Sequence, residues 1–204
     1  MSLPRIDKDA QELLPELVEH CLEVKRMDDS HGELYLFGET KDWVSPWQAS
    51  ELATVKMMGG MLELGASDVV LDLGCGDGRV NLALSRLFGC RGVGWDSSSL
   101  CIDTCNLLLR SSGMHKLNSF SVVNFLHRGE WDLGQLATAT VLYTYLPVQG
   151  LLTLLPLLEY VASVNPTVRL VTNHYHFPNL DEWQVIHDQH EIRVCVYKGR
   201  SGVN

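Results

Sequence analysis

Hydrophobic and polar residues follow two different periods along the chain. From residue 8 to residue 26, and again from residue 48 to residue 64, apolar residues recur at helical spacing. These patterns predict two helices, the second ending at Gly65. Turn formers and scattered aromatic residues separate them, and Tyr35, Phe37, Trp43 and Trp47 are candidates for a lid or for simple aromatic packing.

From Val69 onward, short apolar runs alternate with helical patterns. The runs predict strands at residues 69–73, 92–95, 119–125, 141–145, 168–172, 184–187 and 192–197. Helices are predicted at residues 80–88, 98–110 and 150–163, and the last two strands form a closing hairpin. Such alternation is typical of an α/β fold, with a mostly parallel sheet covered by helices on both faces. We therefore expect one compact domain over residues 48–204, preceded by a helical or lid-like extension over residues 1–47.

Composition and charge narrow the function classes. The 204 residues carry a net charge of −9, which disfavours non-specific binding to nucleic acid or to anionic membranes. The six cysteines show no metal-ligand spacing, and the N-terminus lacks the features of a signal or transit peptide, so we expect a reducing, cytoplasmic location. The long apolar stretch from Leu146 contains two prolines, Gln149 and Glu159, and predicts a buried helix rather than an integral membrane segment.

One motif, VVLDLGCGDGRV at residues 69–80, indicates the chemistry. Glycines at 74, 76 and 78 follow the first predicted strand, and in such a turn backbone N–H groups are expected to point outward toward a ligand. Dinucleotide folds have a third glycine where this chain has Arg79, and Asp72 would repel a pyrophosphate but could bind an ammonium group. Asp96, which closes the next strand, could accept hydrogen bonds from both hydroxyls of a ribose. A ligand with an ammonium at one end and a ribose beyond it is S-adenosylmethionine.

VVLDLGCGDGRV followed by GVGWD resembles the first two motifs of class I S-adenosylmethionine-dependent methyltransferases. The resemblance spans residues 45–198 and implies a Rossmann-like sheet of seven strands with an antiparallel last strand. It also implies a set of cofactor contacts, at Asp72, Gly74, Cys75, Gly76, Asp96, Ser97, Asn124, Phe125 and Tyr143. Asn124 stands where the family usually has an acidic residue near the adenine amino group, so its amide could replace that contact or could instead cap a turn. Phe125 could pack on the adenine ring.

The residues after the fourth predicted strand bear on the methyl acceptor. They contain neither the Asn/Asp-Pro-Pro-Tyr/Phe motif of enzymes that methylate bases or amides nor the metal-binding aspartate of catechol-type enzymes. We therefore expect metal-independent transfer, with no metal site, to an acceptor that is not nucleic acid. VSPWQASELATVKMM, TYLP and RLVTNHYHFP resemble a small branch of protein-lysine methyltransferases, related to the Dot-one histone enzymes and to those of mitochondrial carriers and ATP synthase. This resemblance implies a lysine on a protein partner, for which the acidic chain is compatible with a basic surface.

Two residues are candidates for catalysis. Tyr143 and Tyr145 are two apart on the fourth predicted strand and are expected on one face, where the Tyr145 hydroxyl could hold the incoming amine or simply fill space. His174 and His176 are expected to share a face at the end of the fifth strand, where the pair could act as a base or as metal ligands; with no third ligand evident, an ordinary polar loop is favoured, and His174 is the catalytic candidate.

Two other functions remain open. The acceptor could be a small amine or hydroxyl compound, and the chain could also be an inactive cofactor-binding partner subunit. An NAD-dependent dehydrogenase is disfavoured by Asp72 and Arg79.

Overall fold

A computed structural model of the protein describes residues 48–199. The predicted helix at residues 8–26 and the four aromatic lid candidates lie outside the described residues. Within residues 48–199, seven strands form one sheet. They are β1 (Val69–Leu73), β2 (Arg91–Asp96), β3 (Asn118–Val122), β4 (Val141–Thr144), β5 (Arg169–Asn173), β6 (Trp183–Gln189) and β7 (Ile192–Tyr197).

The order of the strands across the sheet is β3-β2-β1-β4-β5-β7-β6. Strands β1 to β5 pair in parallel, whereas β7 pairs antiparallel with both β5 and β6. The expected Rossmann-like sheet with an antiparallel last strand is therefore confirmed. The chain reverses its strand order between β1 and β4, and ligands bind outside the carboxyl ends of the strands at such a switch point.

The sheet lies between two layers of helices. The described helices are α1 (Leu52–Met61), α2 (Arg79–Phe88), α3 (Ser99–Ser112), α4 (Leu133–Thr138), α5 (Val148–Thr153) and α6 (Leu155–Val164). Because side chains alternate across a strand, Val70 of β1 packs in the cluster with α1 to α3, while Leu71 packs in the cluster with α4 to α6. All five residues of β1 are buried, as expected for a central parallel strand.

Helix α1 is shorter than the predicted helix at both ends. Residues 48–51 are not helical, and the Ser50 hydroxyl is hydrogen-bonded to Tyr143 instead of capping the helix. At the other end Glu63 adopts a left-handed conformation with φ of 51°, and its N–H donates to the Gly60 carbonyl oxygen. The Leu64 N–H donates to the Gly59 carbonyl oxygen, which completes a Schellman motif. The helix therefore ends at Met61, without the help of Gly65.

Two other predicted elements differ from the structure, and two elements were not predicted. The predicted helix at residues 150–163 is two helices, because Pro156 has no N–H to donate and stands in the first turn of α6. Strand β3 ends at Val122, so Asn124 and Phe125 lie in the loop that follows it. No element is predicted at residues 128–138, where the structure has a 3₁₀ turn (Arg128–Glu130) and α4.

Among residues 48–199, no helix is both long enough and apolar enough to cross a membrane.

Candidate active site

The glycine turn between β1 and α2 depends on left-handed backbone conformations. Gly74, Gly76 and Gly78 have φ angles of 87°, 54° and 78°. Side chains with a Cβ rarely adopt these angles, which explains three glycines in five residues. At Gly78 a Cβ would also lie 2.8 Å from the Phe120 ring and 2.9 Å from the Cys105 sulfur. The turn is therefore fixed both by its backbone angles and by the packing beneath it.

Four N–H groups of this turn are satisfied within the protein. Gly74 and Cys75 both donate to the Trp95 carbonyl oxygen, at 2.8 and 3.0 Å. Gly76 donates to the Asp96 carboxylate at 2.9 Å, and Gly78 donates to the Cys75 carbonyl oxygen at 2.9 Å. The expectation of outward-pointing donors is therefore wrong for these four groups, and the turn is poorly suited to hold a phosphate.

Asp72 is a buried carboxylate that lies next to the turn. Its residue is 2% exposed. In the sheet its register neighbours are Gly94 of β2 and Tyr143 of β4. Burial, followed by the charges of Asp96 and Asp77, raises the pKa of Asp72 well above its usual value. A cation beside Asp72 would relieve this penalty, because it would favour the ionised carboxylate.

Asp96 ties the glycine turn to the end of β2. One of its carboxylate oxygens accepts from the Gly76 N–H and the other from the Ser98 N–H, both at 2.9 Å. Burial raises the pKa of Asp96, although these backbone donors act in the opposite direction. Each carboxylate oxygen can accept more than one hydrogen bond, so the half-buried Asp96 keeps capacity for a ligand hydroxyl. Ser97 follows it and is exposed.

A buried ion pair that was not predicted from the sequence lies at the start of α2. The Arg79 Nε donates to both carboxylate oxygens of Asp77 at 3.0 Å, and both residues are buried. The sequence signal for this pair is an aspartate followed two residues later by an arginine, in GDGR. The Asp77 carboxylate therefore compensates the buried guanidinium of Arg79.

Cys75 contacts the core rather than the surface of the turn. It is 5% exposed, and its sulfur lies 2.8 Å from the position that a Cβ on Gly94 would occupy. Burial, and the neighbouring Cys105 thiol after it, raise the pKa of the Cys75 thiol. The Cys105 thiol donates to the Gly76 carbonyl oxygen at 3.2 Å. Cys75 can therefore contribute its backbone to a ligand site, while its thiol supports the turn from below.

Asn124 and Phe125 form part of a braced loop after β3. The Asn124 side-chain oxygen accepts from the Leu126 N–H at 3.0 Å, which is a turn-capping contact. The Asn124 N–H donates to the Glu130 carboxylate at 2.8 Å, and this bond contributes to the lowered pKa of Glu130. Phe125 is 6% exposed and packs in the core, where its carbonyl oxygen accepts from the Trp131 indole. The loop thus presents the Asn124 amide, while the Phe125 ring faces the interior.

On the other side of Asp72, Tyr143 is part of a buried hydrogen-bond network. Its hydroxyl is 3.0 Å from the Ser50 hydroxyl and accepts from the Asn173 amide at 2.9 Å. Burial raises the pKa of Tyr143, with a further contribution from the Asp72 charge. Ser50 and Asn173 were not predicted as site residues, because their 93- and 30-residue separations from Tyr143 leave no local pattern. The network joins the start of α1 to the ends of β4 and β5.

Tyr145 and His174 lie close together at the carboxyl ends of β4 and β5. Their ring centroids are 6.1 Å apart, and the Tyr175 ring lies 6.2 Å from Tyr145 and 4.6 Å from His174. Tyr145 is half-buried, and burial raises the pKa of its hydroxyl to about 12. The charges of Glu191 and Glu51 act in the same direction. These three rings form an aromatic rim beside the glycine turn.

The two histidines predicted to share a face have different partners. Strand β5 ends at Asn173, and His174 has a φ of 62°, so strand alternation does not continue to these residues. His174 lies 3.1 Å from the Glu191 carboxylate, whereas the His176 ring lies 2.7 Å from the Thr172 hydroxyl. Burial lowers the pKa of His176. Only His174 is part of the aromatic rim.

Among residues 48–199, no group of three or more His, Cys, Asp or Glu side chains is placed to hold a metal ion.

Comparison with known proteins gives a structural likeness. No protein-family model matches the sequence, and no curated protein matches it. The chain is similar to the crystal structure of an RNA methyltransferase from Salinibacter ruber in complex with S-adenosyl-L-homocysteine. The TM-score is 0.61 at 20% identity, and the match covers 76% of this chain and 96% of that one.

It is also similar to the ribosomal protein L11 methylase from Lactobacillus delbrueckii subsp. bulgaricus. Here the TM-score is 0.56 at 14% identity, and the match covers 74% of this chain and 81% of that one. At these identities the likeness concerns the backbone arrangement. The chain therefore has the Rossmann-like fold of S-adenosylmethionine-dependent methyltransferases.

Proposed function

We propose that the protein is an S-adenosylmethionine-dependent methyltransferase. The observation that carries this proposal is the buried carboxylate of Asp72, which lies beside a turn whose N–H groups at residues 74, 75, 76 and 78 are satisfied within the protein. A cation is stabilised beside such a carboxylate, whereas a pyrophosphate is repelled by it. The ammonium and sulfonium charges of S-adenosylmethionine fit this requirement, and the Salinibacter ruber structure of the same fold holds S-adenosyl-L-homocysteine, the demethylated product of that cofactor.

Each predicted cofactor contact has a defined task in this proposal. Asp72 binds the ammonium group. Gly74 and Gly76 allow the methionine part of the cofactor to approach the backbone of the turn, and Cys75 contributes its backbone to the same contact. Asp96 accepts from the ribose hydroxyls beside Ser97, with the oxygen capacity left by its two backbone donors. We assign the Asn124 amide to the adenine, and the buried Phe125 and Tyr143 to supporting these contacts from within the core.

When bound, S-adenosylmethionine supplies a methyl group on a positively charged sulfur. A cationic amine acceptor would first lose a proton to solvent; the nitrogen lone pair would then form the bond to the methyl carbon, while the carbon–sulfur bond would break with its electron pair remaining on sulfur. The task of the chain is to align the acceptor and to exclude water, which needs no metal ion. Tyr145 and His174 are the residues that we assign to orienting the acceptor, and the ring cluster that they share with Tyr175 provides the apolar wall.

We further propose that the acceptor is the amine of a lysine on a protein. A lysine amine must lose a proton before it reacts, because its unperturbed pKa is about 10.4. Desolvation against an aromatic wall lowers the pKa of an amine. Besides burial and Tyr175, the carboxylates of Glu191 and Glu51 contribute to the raised pKa of Tyr145, and negative charge at this place favours a cationic acceptor over a phosphate-bearing one.

Calorimetry tests the cofactor, with S-adenosylmethionine, S-adenosylhomocysteine and NAD titrated into the full chain. We expect binding of the first two and none of NAD; binding of NAD alone would contradict the proposal. Asp72→Asn is the test variant, and the matched control is Asp103→Asn, which changes a carboxylate of the same kind on an exposed position of α3.

A labelling experiment tests the acceptor. A cell lysate is incubated with the protein and S-adenosylmethionine that carries a tritiated methyl group, and protein and small-molecule fractions are counted separately. We expect label in the protein fraction, on lysine after hydrolysis. Label confined to small molecules would replace the lysine assignment by a small amine or hydroxyl acceptor. Tight binding with no label in either fraction would indicate an inactive partner subunit.

A further inference from the structure

The turn between β6 and β7 has an unusual backbone. Strands β6 and β7 are joined by two residues, His190 and Glu191, with φ angles of 49° and 66°. Two-residue hairpin turns of this left-handed kind normally use Asn-Gly or similar pairs. His174 adds a third such residue with a φ of 62°. Three of the four non-glycine residues with positive φ among residues 48–199 therefore meet at one corner of the molecule.

The same residues are joined by hydrogen bonds. The His174 N–H donates to the Glu191 carbonyl oxygen at 2.7 Å, and the His174 Nδ1 lies 3.1 Å from a Glu191 carboxylate oxygen. These contacts anchor the hairpin turn to the end of β5. The Glu191 side chain nevertheless remains 63% exposed, so its carboxylate can accept further hydrogen bonds.

The anchored turn is next to the aromatic rim. His174 contacts Tyr175 edge to face at 4.6 Å, and the Glu191 charge contributes to the raised pKa of Tyr145. Asn173, which precedes His174, donates to Tyr143, and Tyr143 is the register neighbour of Asp72. A continuous set of contacts thus leads from the glycine turn to the hairpin turn.

We infer that Glu191 is the residue that selects the methyl acceptor, and that it recognises the ammonium group of a lysine side chain at the aromatic rim. The inference rests on the proposed function and adds the specificity residue to it. A carboxylate beside aromatic rings attracts a cation through its charge, and the ring faces add the attraction of their quadrupoles. His174 acts as a positioning residue, because its ring and its N–H hold Glu191 at this place. Strained backbone that surrounding contacts maintain is typical of functional sites.

The probe for this inference is poly-L-lysine, with tritiated S-adenosylmethionine as methyl donor. We expect Glu191→Gln to raise KM for poly-L-lysine about fivefold, the range of a solvent-exposed ion pair, with kcat within about twofold. The affinity for S-adenosylmethionine should not change. Because salt screens exposed charges, the difference from the wild type should shrink at high ionic strength. The Glu191→Asp variant should recover part of the loss.

Two further variants separate recognition from folding. Glu191→Gly removes the carboxylate and also relieves the left-handed strain, so it should melt a few degrees higher than the wild type and yet show the same raised KM. Glu159→Gln removes an equal charge from an exposed position on α6 and should leave KM unchanged.

Each alternative outcome is decisive. If Glu191→Gln leaves KM for poly-L-lysine unchanged, or if tight S-adenosylmethionine binding is accompanied by labelling of total RNA and not of poly-L-lysine, the inference is overturned and the cofactor proposal stands. If S-adenosylmethionine does not bind, the proposed function itself fails.

Discussion

The carboxyl edge of the sheet has two halves that are built differently. In the half at β1 and β2, the turn takes its shape from glycines and from backbone hydrogen bonds that end on Trp95 and Asp96. In the half at β4, β5 and β7, side chains from distant segments meet, as in the pair Ser50 and Tyr143. Left-handed conformations occur in both halves, on glycines in the first and on His174 and Glu191 in the second.

This difference separates two tasks. A backbone-built turn has one shape, which suits a ligand that is always the same. A side-chain-built rim can change its acceptor through single substitutions, without disturbing the strands beneath it. We therefore expect substitutions in the first half to affect folding and cofactor binding together, whereas those in the second half should affect the acceptor.

The largest effect should come from Gly78→Ala. The new Cβ would occupy a left-handed position and meet Phe120 and Cys105 at less than 3 Å, so the combined cost should be about 2–4 kcal/mol of unfolding free energy. Gly89→Ala is the matched control, because Gly89 has a φ of 72° with nothing within 4 Å of its Cβ position. It should cost only the conformational term of about 1–2 kcal/mol. Equal losses in urea unfolding would show that packing under the turn is unimportant.

Next comes Asp72→Asn, for which binding and stability should change in opposite directions. The variant should lose about 1.5–3 kcal/mol of S-adenosylmethionine affinity, the range for a hydrogen bond to a charged group. The pKa of Asp72 is raised in the folded state, so its stabilising contribution is present at low pH and is lost as the pH rises through that raised pKa. At neutral pH the ligand-free variant should therefore be more stable than the wild type, by about 1 kcal/mol.

The same residue gives a pH dependence. A cationic ligand binds the ionised form of Asp72, so wild-type affinity should rise as the pH increases through the raised pKa of Asp72. Asp72→Asn should remove this rise, as measured by calorimetry at several pH values. If the variant keeps the wild-type pH profile, another group carries the dependence and Asp72 does not face the ligand.

The two halves of the carboxyl edge also differ in how much of each could be predicted from the sequence. The strand Val69–Leu73, the turn and the start of α2 were predicted almost to the residue, because glycine spacing and an apolar run are local signals. The hydrogen bond from the Gly76 N–H to the Asp96 carboxylate was not predicted, because a carboxylate that can accept from a ribose hydroxyl can equally accept from a backbone N–H. In the second half, Tyr145 and His174 were predicted as candidates, but Asn173 and Glu191 were not. Their importance depends on contacts across the sheet, which carry no sequence period.

A smaller effect is expected for Asp96→Ala. The substitution removes acceptors for the N–H groups of Gly76 and Ser98, so the ligand-free protein should lose about 1–2 kcal/mol of stability. Cofactor affinity should fall by a similar amount, because the turn loosens and the ribose loses a partner. Thermal unfolding without ligand separates these contributions. An unchanged melting temperature together with weaker binding would assign Asp96 to the ligand alone.

The smallest effects should distinguish the two tyrosines of the acceptor half. Tyr143→Phe leaves the buried Ser50 hydroxyl and Asn173 amide without a partner, so it should cost about 1 kcal/mol of stability, while methyl transfer changes little. Tyr145→Phe removes a half-buried hydroxyl and should change stability by less than about 0.5 kcal/mol. Methyl transfer to poly-L-lysine should nevertheless fall severalfold, since this hydroxyl is the one assigned to the acceptor. Denaturant unfolding and initial rates on the two variants test the contrast. The reverse pattern, with activity lost in Tyr143→Phe and stability lost in Tyr145→Phe, would exchange their roles and move the acceptor from the rim toward the Ser50 side of the site.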